Sequence, residues 1–420
     1  MGFSTRHKEV TILYYLPYGV YLVKGEKNSA LYDLNQCRLY QINNEAALFV
    51  EELLSAENKE LSIEKKAFKK KLIELKLLQE VYTKPHYITD LKKDNVIDFV
   101  WIEITTCCNL KCIHCYENAS CHTEEIMDFD LYKRIIDELI KNDIKKIQFI
   151  GGEPFTLGKQ IFKYLDYCIN KFEYIEIFTN GTLISTKWLS YIKKNNIRLA
   201  LSVYSYNEKV HCYVTRDETS WRKTNELIKQ LSEYGIKYRV RNVIMKDVSI
   251  GQKNTELYKL SKKRDIVRIT GRAKLNLLTD ELIKCKLITP QKLTKVLNEN
   301  LIVRCISGHN CFSRRLYFSY NGDVFPCVME RRFKHGSIIN KSLVEVIDNR
   351  VRNITKDFIK ECKNCEFRYC CFDCRPDSNG NEKYDKPWYC TYNPIEGKWE
   401  TDINKFIEQL RENNHFKEVE

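Results

Sequence analysis

No apolar run of about 18 residues or longer occurs in this 420-residue chain, which excludes a membrane-spanning helix visible by hydropathy. The first residues, Met1-Gly2-Phe3-Ser4-Thr5-Arg6-His7-Lys8-Glu9, lack the apolar core of a secretory signal. Both absences predict a cytoplasmic protein with no membrane partner. The chain does not lack apolar residues: 43% are hydrophobic and 30% charged, which excludes a disordered chain. Its length exceeds one core of usual size and predicts two or three domains.

What the chain has in excess is cysteine, 18 residues in all. In a reducing compartment that many thiols read as metal ligands rather than disulfides. The formal charge of +13 counts every cysteine as neutral. Cysteines held as metal-bound thiolates would lower it by several units. The remaining positive charge suits an acidic partner such as an Asp/Glu-bearing peptide, with nucleic acid the weaker expectation. It is also the ordinary mark of a lysine-rich solvated surface.

The densest signal is Cys108-Asn109-Leu110-Lys111-Cys112-Ile113-His114-Cys115, directly after the apolar run Val100-Trp101-Ile102-Glu103-Ile104. Three thiolates on one short loop can hold three corners of a [4Fe-4S] cube and leave the fourth iron open. The competing reading, a zinc site, usually needs C-x2-C pairs and a fourth protein ligand. The loop resembles that of the radical S-adenosylmethionine (SAM) enzymes, with His114 where an aromatic residue is common. Gly151-Gly152-Glu153-Pro154, some way downstream, resembles that family's motif for the amino group of SAM. The resemblance further implies SAM contacts at Asn180 and Ser202 and a carboxylate contact at Arg216.

Taken in order, residues 10–43 alternate as four short strands with a turn at 25–28, and helical patterns follow at 44–55 and 62–79. Residues 1–85 thus read as a small winged-helix-like α+β unit. It resembles the leader-recognition domain fused to many maturases of ribosomally made peptides, in which a leader adds a strand to a sheet edge. Strand patterns then recur at 97–105, 146–150, 174–178, 198–203, 238–245 and 266–270. Helical patterns separate them at 130–142, 157–171, 186–195, 220–234 and 255–263. Six βα repeats predict an α/β fold with a parallel sheet. The resemblance makes residues 96–280 a partial (β/α)6 radical SAM barrel.

Beyond residue 280 cysteines crowd the chain. Cys305-x5-Cys311-x10-Gly322-x4-Cys327, then Cys362-x2-Cys365, the pair Cys370-Cys371, Cys374 and Cys390 resemble the SPASM domain, which carries two auxiliary [4Fe-4S] clusters. The resemblance implies Cys305, Cys311, Cys327 and Cys374 for the first. For the second it implies Cys362, Cys365, Cys390 and one of the adjacent pair. The chain is one residue short of the family spacing there; the five-residue gap selects Cys371, the three-residue gap Cys370, and Cys371 is preferred. Cys37, Cys107, Cys121, Cys168, Cys212 and Cys285 fit no cluster. This domain is expected over 281–400, and a C-terminal helix over 401–420.

The resemblance implies an enzyme with three [4Fe-4S] clusters and SAM, fed by an external donor of flavodoxin or ferredoxin type. It would install a thioether or carbon–carbon cross-link in a ribosomally made precursor peptide that carries a leader. An alternative is the formylglycine-forming sulfatase-maturating enzymes, which typically place Asp directly after the cysteine equivalent to Cys327, where this chain has Val328. A non-enzymatic iron-sulfur carrier or zinc-dependent nucleic-acid binder would leave Gly151 to Pro154 and the six repeats unexplained.

Overall fold

A computed structural model describes residues 13–55, 61–119, 125–250, 264–270, 272–294, 297–371, 374–378 and 382–412. The start of the first expected strand, the helix at 255–263, Gly271, Cys121 and the end of the C-terminal helix lie outside them.

The N-terminal unit is a three-stranded antiparallel sheet, β1 (Val20–Lys24), β2 (Asn28–Asp33) and β3 (Arg38–Asn43), followed by α1 (Asn44–Leu54) and α2 (Ile63–Glu74). Asn43 and Ser62 cap the two helices by accepting from Ala46 N and Lys65 N, which satisfies otherwise orphaned donors. The second helix stops earlier than its pattern suggests, because Lys76 adopts φ 59° and the chain turns back to pair Gln79 with Tyr15.

Strand β2 is covered on both faces. Leu31 packs with Val50, Leu72 and Leu77 beneath the helices, whereas Ala30 and Tyr32 pack with Phe367, Tyr369 and Tyr392 of the cysteine-rich third. A period of two places neighbours on opposite faces, so one strand joins two cores. The Tyr32 hydroxyl donates to Glu366 O at 2.8 Å, and Gln41 Nε2 donates to Glu366 Oε1 at 2.6 Å.

The central sheet carries the six expected parallel strands in sequential order: β4 (Phe99–Thr105), β5 (Lys146–Gly151), β6 (Tyr174–Thr179), β7 (Arg198–Ser202), β8 (Tyr238–Ile244) and β9 (Arg264–Ile266). Helices α3 (Phe129–Lys141), α4 (Gln160–Cys168), α5 (Thr186–Lys194), α6 (Glu208–Thr215) and α7 (Ser220–Glu233) lie between them. Val100, Ile102 and Ile104 turn outward into the main apolar core with Ile135, Leu139 and Leu165. The alternate residues Trp101, Glu103 and Thr105 face inward.

Four features depart from the sequence pattern. Gly158 at φ 53° splits the helix expected over 157–171 into a 3-10 turn, Pro154–Leu157, and α4. Helix α6 is additional, capped by Asn207 accepting from Val210 N. The last parallel strand begins before residue 266. The sheet also does not end at six strands: β10 (Arg315–Phe318) lies parallel beside β4, and β11 (Asp323–Phe325) and β12 (Gly336–Ser337) extend that edge antiparallel. The cysteine-rich third is therefore built onto the barrel sheet itself.

Replacing Tyr32 with Ala removes the ring that links the N-terminal sheet to the cysteine-rich third. It should cost about 3 kcal/mol or more, read by calorimetry, and expose residues 84–98 to limited proteolysis. Unchanged cleavage there would refute the role given to this ring.

Candidate active site

The C-terminal edge of the parallel sheet is where ligands of such folds sit, and the cysteine loop lies across it. Backbone bonds pin the loop to the end of α6: Ile113 N to Val214 O at 3.0 Å and Lys111 N to Thr215 O at 3.2 Å. Arg272 N donates to Cys115 O at 2.9 Å. Cys108, Cys112 and Cys115 all wall one cavity of about 440 Å³.

The two glycines of the GGEP stretch hold this loop in register. Gly152 N donates to Thr105 O at 2.9 Å, and Glu153 N to Cys107 O at 2.7 Å. A Cβ on Gly151 would lie 2.1 Å from Thr105 O, and one on Gly152 2.1 Å from Cys107 O. Any side chain would force β5 away from the strand that delivers the cysteines. Both glycines also wall the cavity, as do Asn180 and Ser202.

Glu153 does not wall it. Its carboxylate is fully buried and accepts from Phe155 N at 3.1 Å, Thr179 Oγ1 at 2.7 Å and Asn180 N at 2.6 Å. It therefore ties the end of β5 to the end of β6. Burial pushes its pKa up to about 7 against those three donors. Pro154 is buried behind it. Arg216 is exposed, in the left-handed conformation that ends α6, with its guanidinium 5.2 Å from the Tyr213 ring. The structure thus brings Gly151, Gly152, Asn180 and Ser202 to the cavity wall, and not Glu153, Pro154 or Arg216.

Several cavity residues were given no role in the sequence reading. His114 packs edge-on against Tyr204 with ring centroids 4.7 Å apart, and burial lowers its pKa to about 4, which keeps it neutral beside the thiols. Across the inner face Trp101 Nε1 donates to Gln148 Oε1 at 2.8 Å, and Gln148 donates to Glu176. Arg239 grips Glu176 through Nε at 2.8 Å and a terminal nitrogen at 2.6 Å. Glu117 pairs with Arg331, and burial pushes it up to about 7. The usable signal was the alternation Phe99-x-Trp101 and Arg239-x-Arg241, which sets charged and aromatic residues on one strand face.

The remaining cysteines form two neighbourhoods. Cys327 feels Cys311 and Cys374 feels Cys327 as nearby negative groups, while burial leads in raising the two thiols to about 11 and 12. Arg268 Nε donates to Cys374 Sγ at 3.2 Å and also reaches the main cavity. Cys371 interacts with Cys390, Cys362 and Cys365. Its neighbour Cys370 instead accepts from the Tyr32 hydroxyl at 3.5 Å and faces Phe367 O. Cys305 lines a separate small cavity with Cys371, Lys356 and Arg375.

The chemistry of these donors is that of iron-sulfur cluster ligands, while among the described residues no group of three or more is gathered closely enough to hold a metal ion. Burial raises the Cys108 and Cys112 thiols, with neighbouring cysteines adding to the shift. A buried set of like anions is stable only around a strong positive charge. Soft sulfur is the donor such clusters take. Every described cysteine is free of disulfides.

The fold and this donor set are similar to those of radical SAM enzymes. Residues 102–255 match the radical SAM superfamily, and residues 310–366 match the SPASM iron-sulfur cluster-binding domain. It is 33% identical over 168 residues to the antilisterial bacteriocin subtilosin biosynthesis protein AlbA of Bacillus subtilis (strain 168), covering 39% of this chain and 36% of AlbA. It is 25% identical over 332 residues to a cysteine-type anaerobic sulfatase-maturating enzyme of Clostridium novyi (strain NT), covering 65% of this chain and 86% of that enzyme. The fold is similar to Streptococcus suis SuiB bound to S-adenosylmethionine, with a TM-score of 0.55 and 16% identity over 90% of this chain and 100% of that one. Among the described residues no helix is long and apolar enough to cross a membrane.

The adjacent cysteines separate by their surroundings. Cys370→Ala should leave the iron content unchanged, whereas Cys371→Ala should lose about four irons per chain. Metal analysis giving the reverse order would move the ligand to Cys370.

Proposed function

We propose that this chain is a peptide maturase that installs a cross-link, thioether or carbon–carbon, in a ribosomally made precursor. The observation that carries this reading is the small N-terminal sheet packed on the SPASM region with one edge open. The other edge is covered, since Val20 O meets His86, Lys24 O accepts from Arg368 and Glu26 N donates to Asn364 O. Strand β3 has no outer neighbour among the described residues, and Arg38, Gln41 and Asn43 are exposed. A leader strand could add there through main-chain bonds. AlbA is named for bacteriocin biosynthesis, and SuiB is known bound to its precursor peptide SuiA.

Cys108, Cys112 and Cys115 would hold the site cluster. Cys305, Cys311, Cys327 and Cys374 would hold a first auxiliary cluster, and Cys362, Cys365, Cys371 and Cys390 a second. A cluster held there would supply the electron for reductive cleavage of SAM, and with it the radical chemistry needed to take hydrogen from a substrate carbon. Gly151 and Gly152 keep the loop against the sheet, Asn180 and Ser202 offer polar groups to SAM, and Tyr204 with His114 closes the wall against water. A flavodoxin- or ferredoxin-type donor in the cytoplasm would suit this thiol-rich set.

Formylglycine formation is the second reading, favoured by the length of the Clostridium novyi match. Against it stands Val328, an apolar residue on the cavity wall where those enzymes typically carry Asp.

Changing Cys108, Cys112 and Cys115 together to Ala should abolish 5′-deoxyadenosine formation in anaerobically reconstituted protein and lower iron from about twelve to about eight per chain. Undiminished 5′-deoxyadenosine would sink the assignment. Co-expression with the precursor should yield peptide lighter by two hydrogens per link. For leader binding, added precursor should slow amide hydrogen exchange in β3 and leave β1 unchanged. Unaltered exchange in β3 would remove the leader role.

A further inference from the structure

The cavity has a second end, away from the cysteines, and its chemistry is different. Arg239, Arg241 and Arg315 line it together with Trp101 and Asp265. Arg239 is neutralised by Glu176. Arg315 lies over the Trp101 ring at 5.5 Å. Among the described residues the guanidinium groups of Arg241 and Arg315 have no hydrogen-bonded or ion-paired partner. Arg241 feels Arg239 and Arg315 as like charges, and Asp265 and Glu176 as opposite ones. Among the described residues, Arg239, Arg241 and Arg315 thus share Glu176 and Asp265, while the fourth arginine of the cavity, Arg268, is engaged by Cys374 and Asp377. Glu117, the other carboxylate on the wall, is taken by Arg331.

Half-buried arginines crowded by like charge are costly unless an anion joins them. The planar fork of a guanidinium matches a carboxylate through two parallel bonds. Arg241 lies directly across from Ser202 in the β7–β8 pairing, so an anion held there would sit within the same cavity as the cysteine loop. Trp101 beside Arg315 adds an apolar wall for the methylenes that would carry it.

We propose that Arg241 and Arg315 bind a carboxylate side chain of the peptide substrate, and so select an Asp or Glu close to the residue that is modified. The inference rests on the peptide-maturase reading and gives that reading a substrate class. It makes the positive charge of the chain local: one acidic residue is read at the floor of the cavity. Arg239 is a positioning residue, held by Glu176 and setting the field around Arg241.

The test uses the full chain and short peptides with blocked termini that differ only in Glu versus Gln, titrated by calorimetry. The native protein should bind the Glu peptide about tenfold more tightly. Arg241→Gln and Arg315→Gln should each reduce that preference, and Arg241→Glu should turn it toward a Lys peptide. Equal binding of the Glu and Gln peptides by native protein, or binding of neither, overturns the proposal. A preference that survives both Gln variants overturns it as well. If Arg241→Gln weakens SAM tenfold and leaves the peptide preference intact, the carboxylate is that of SAM and the proposal fails. Precursor modification is read by mass and this preference by affinity, so the maturase reading and the arginine site can fail separately.

Discussion

The site depends on a backbone contact too close to admit a side chain: Gly151 and Gly152 against the carbonyls of Thr105 and Cys107. Those carbonyls belong to the strand end and loop start that deliver the cysteines, and Gly152 N and Glu153 N bond to them directly. Because β5 is fixed there, Glu153 reaches the end of β6 and collects its donors from Thr179 and Asn180. Three strand ends are thereby locked in one plane, and the loop that lies on them inherits their rigidity. Sites built on rigid elements hold geometry better than sites built on loops alone.

The cysteine-rich third is coupled to this plane in two ways. Strand β10 pairs with β4, the strand that leads into the site loop, and Arg268 spans from the main cavity to Cys374. On its far side the same third receives the N-terminal sheet through Tyr32, Gln41 and Glu366. Glu366 follows Cys365 directly in sequence, so the contact from β3 reaches the residue next to one of these cysteines. The chain is thus a series of contacts from an open sheet edge to a cysteine set, then to the barrel.

The parallel repeat was legible because its strands are apolar runs between amphipathic helices, and the cysteine spacings were legible because local ligands must be close in sequence. The added edge β10–β12 was not. Its strands are two to four residues long, and its partner β4 lies more than two hundred positions away in sequence. The placement of the Glu153 side chain was not legible for a similar reason: it turns inward to Thr179, a partner no local pattern names. Arg216 was singled out by position, and the left-handed end of α6 points it to solvent. The adjacent Cys370 and Cys371 could not be separated by spacing alone. Tyr32, from the opposite end of the chain, distinguishes their surroundings.

A two-residue period places both chemistries of the cavity. On β4 the inward series runs Phe99, Trp101, Glu103, Thr105 and then enters the cysteine loop; on β8 it runs Arg239, Arg241, Val243. Soft sulfur therefore collects at the strand ends, where loops bend freely, and guanidinium groups collect on the strands, where the backbone is fixed by neighbours on both sides. A one-residue slip in β8 would turn Arg239 and Arg241 toward the helices and bring Val240 inward. The Glu176–Arg239 pair opposes that slip, because a buried carboxylate left without its guanidinium costs several kcal/mol. The ion pair thus sets the strand register, and the register sets which charges face the cysteine end of the cavity.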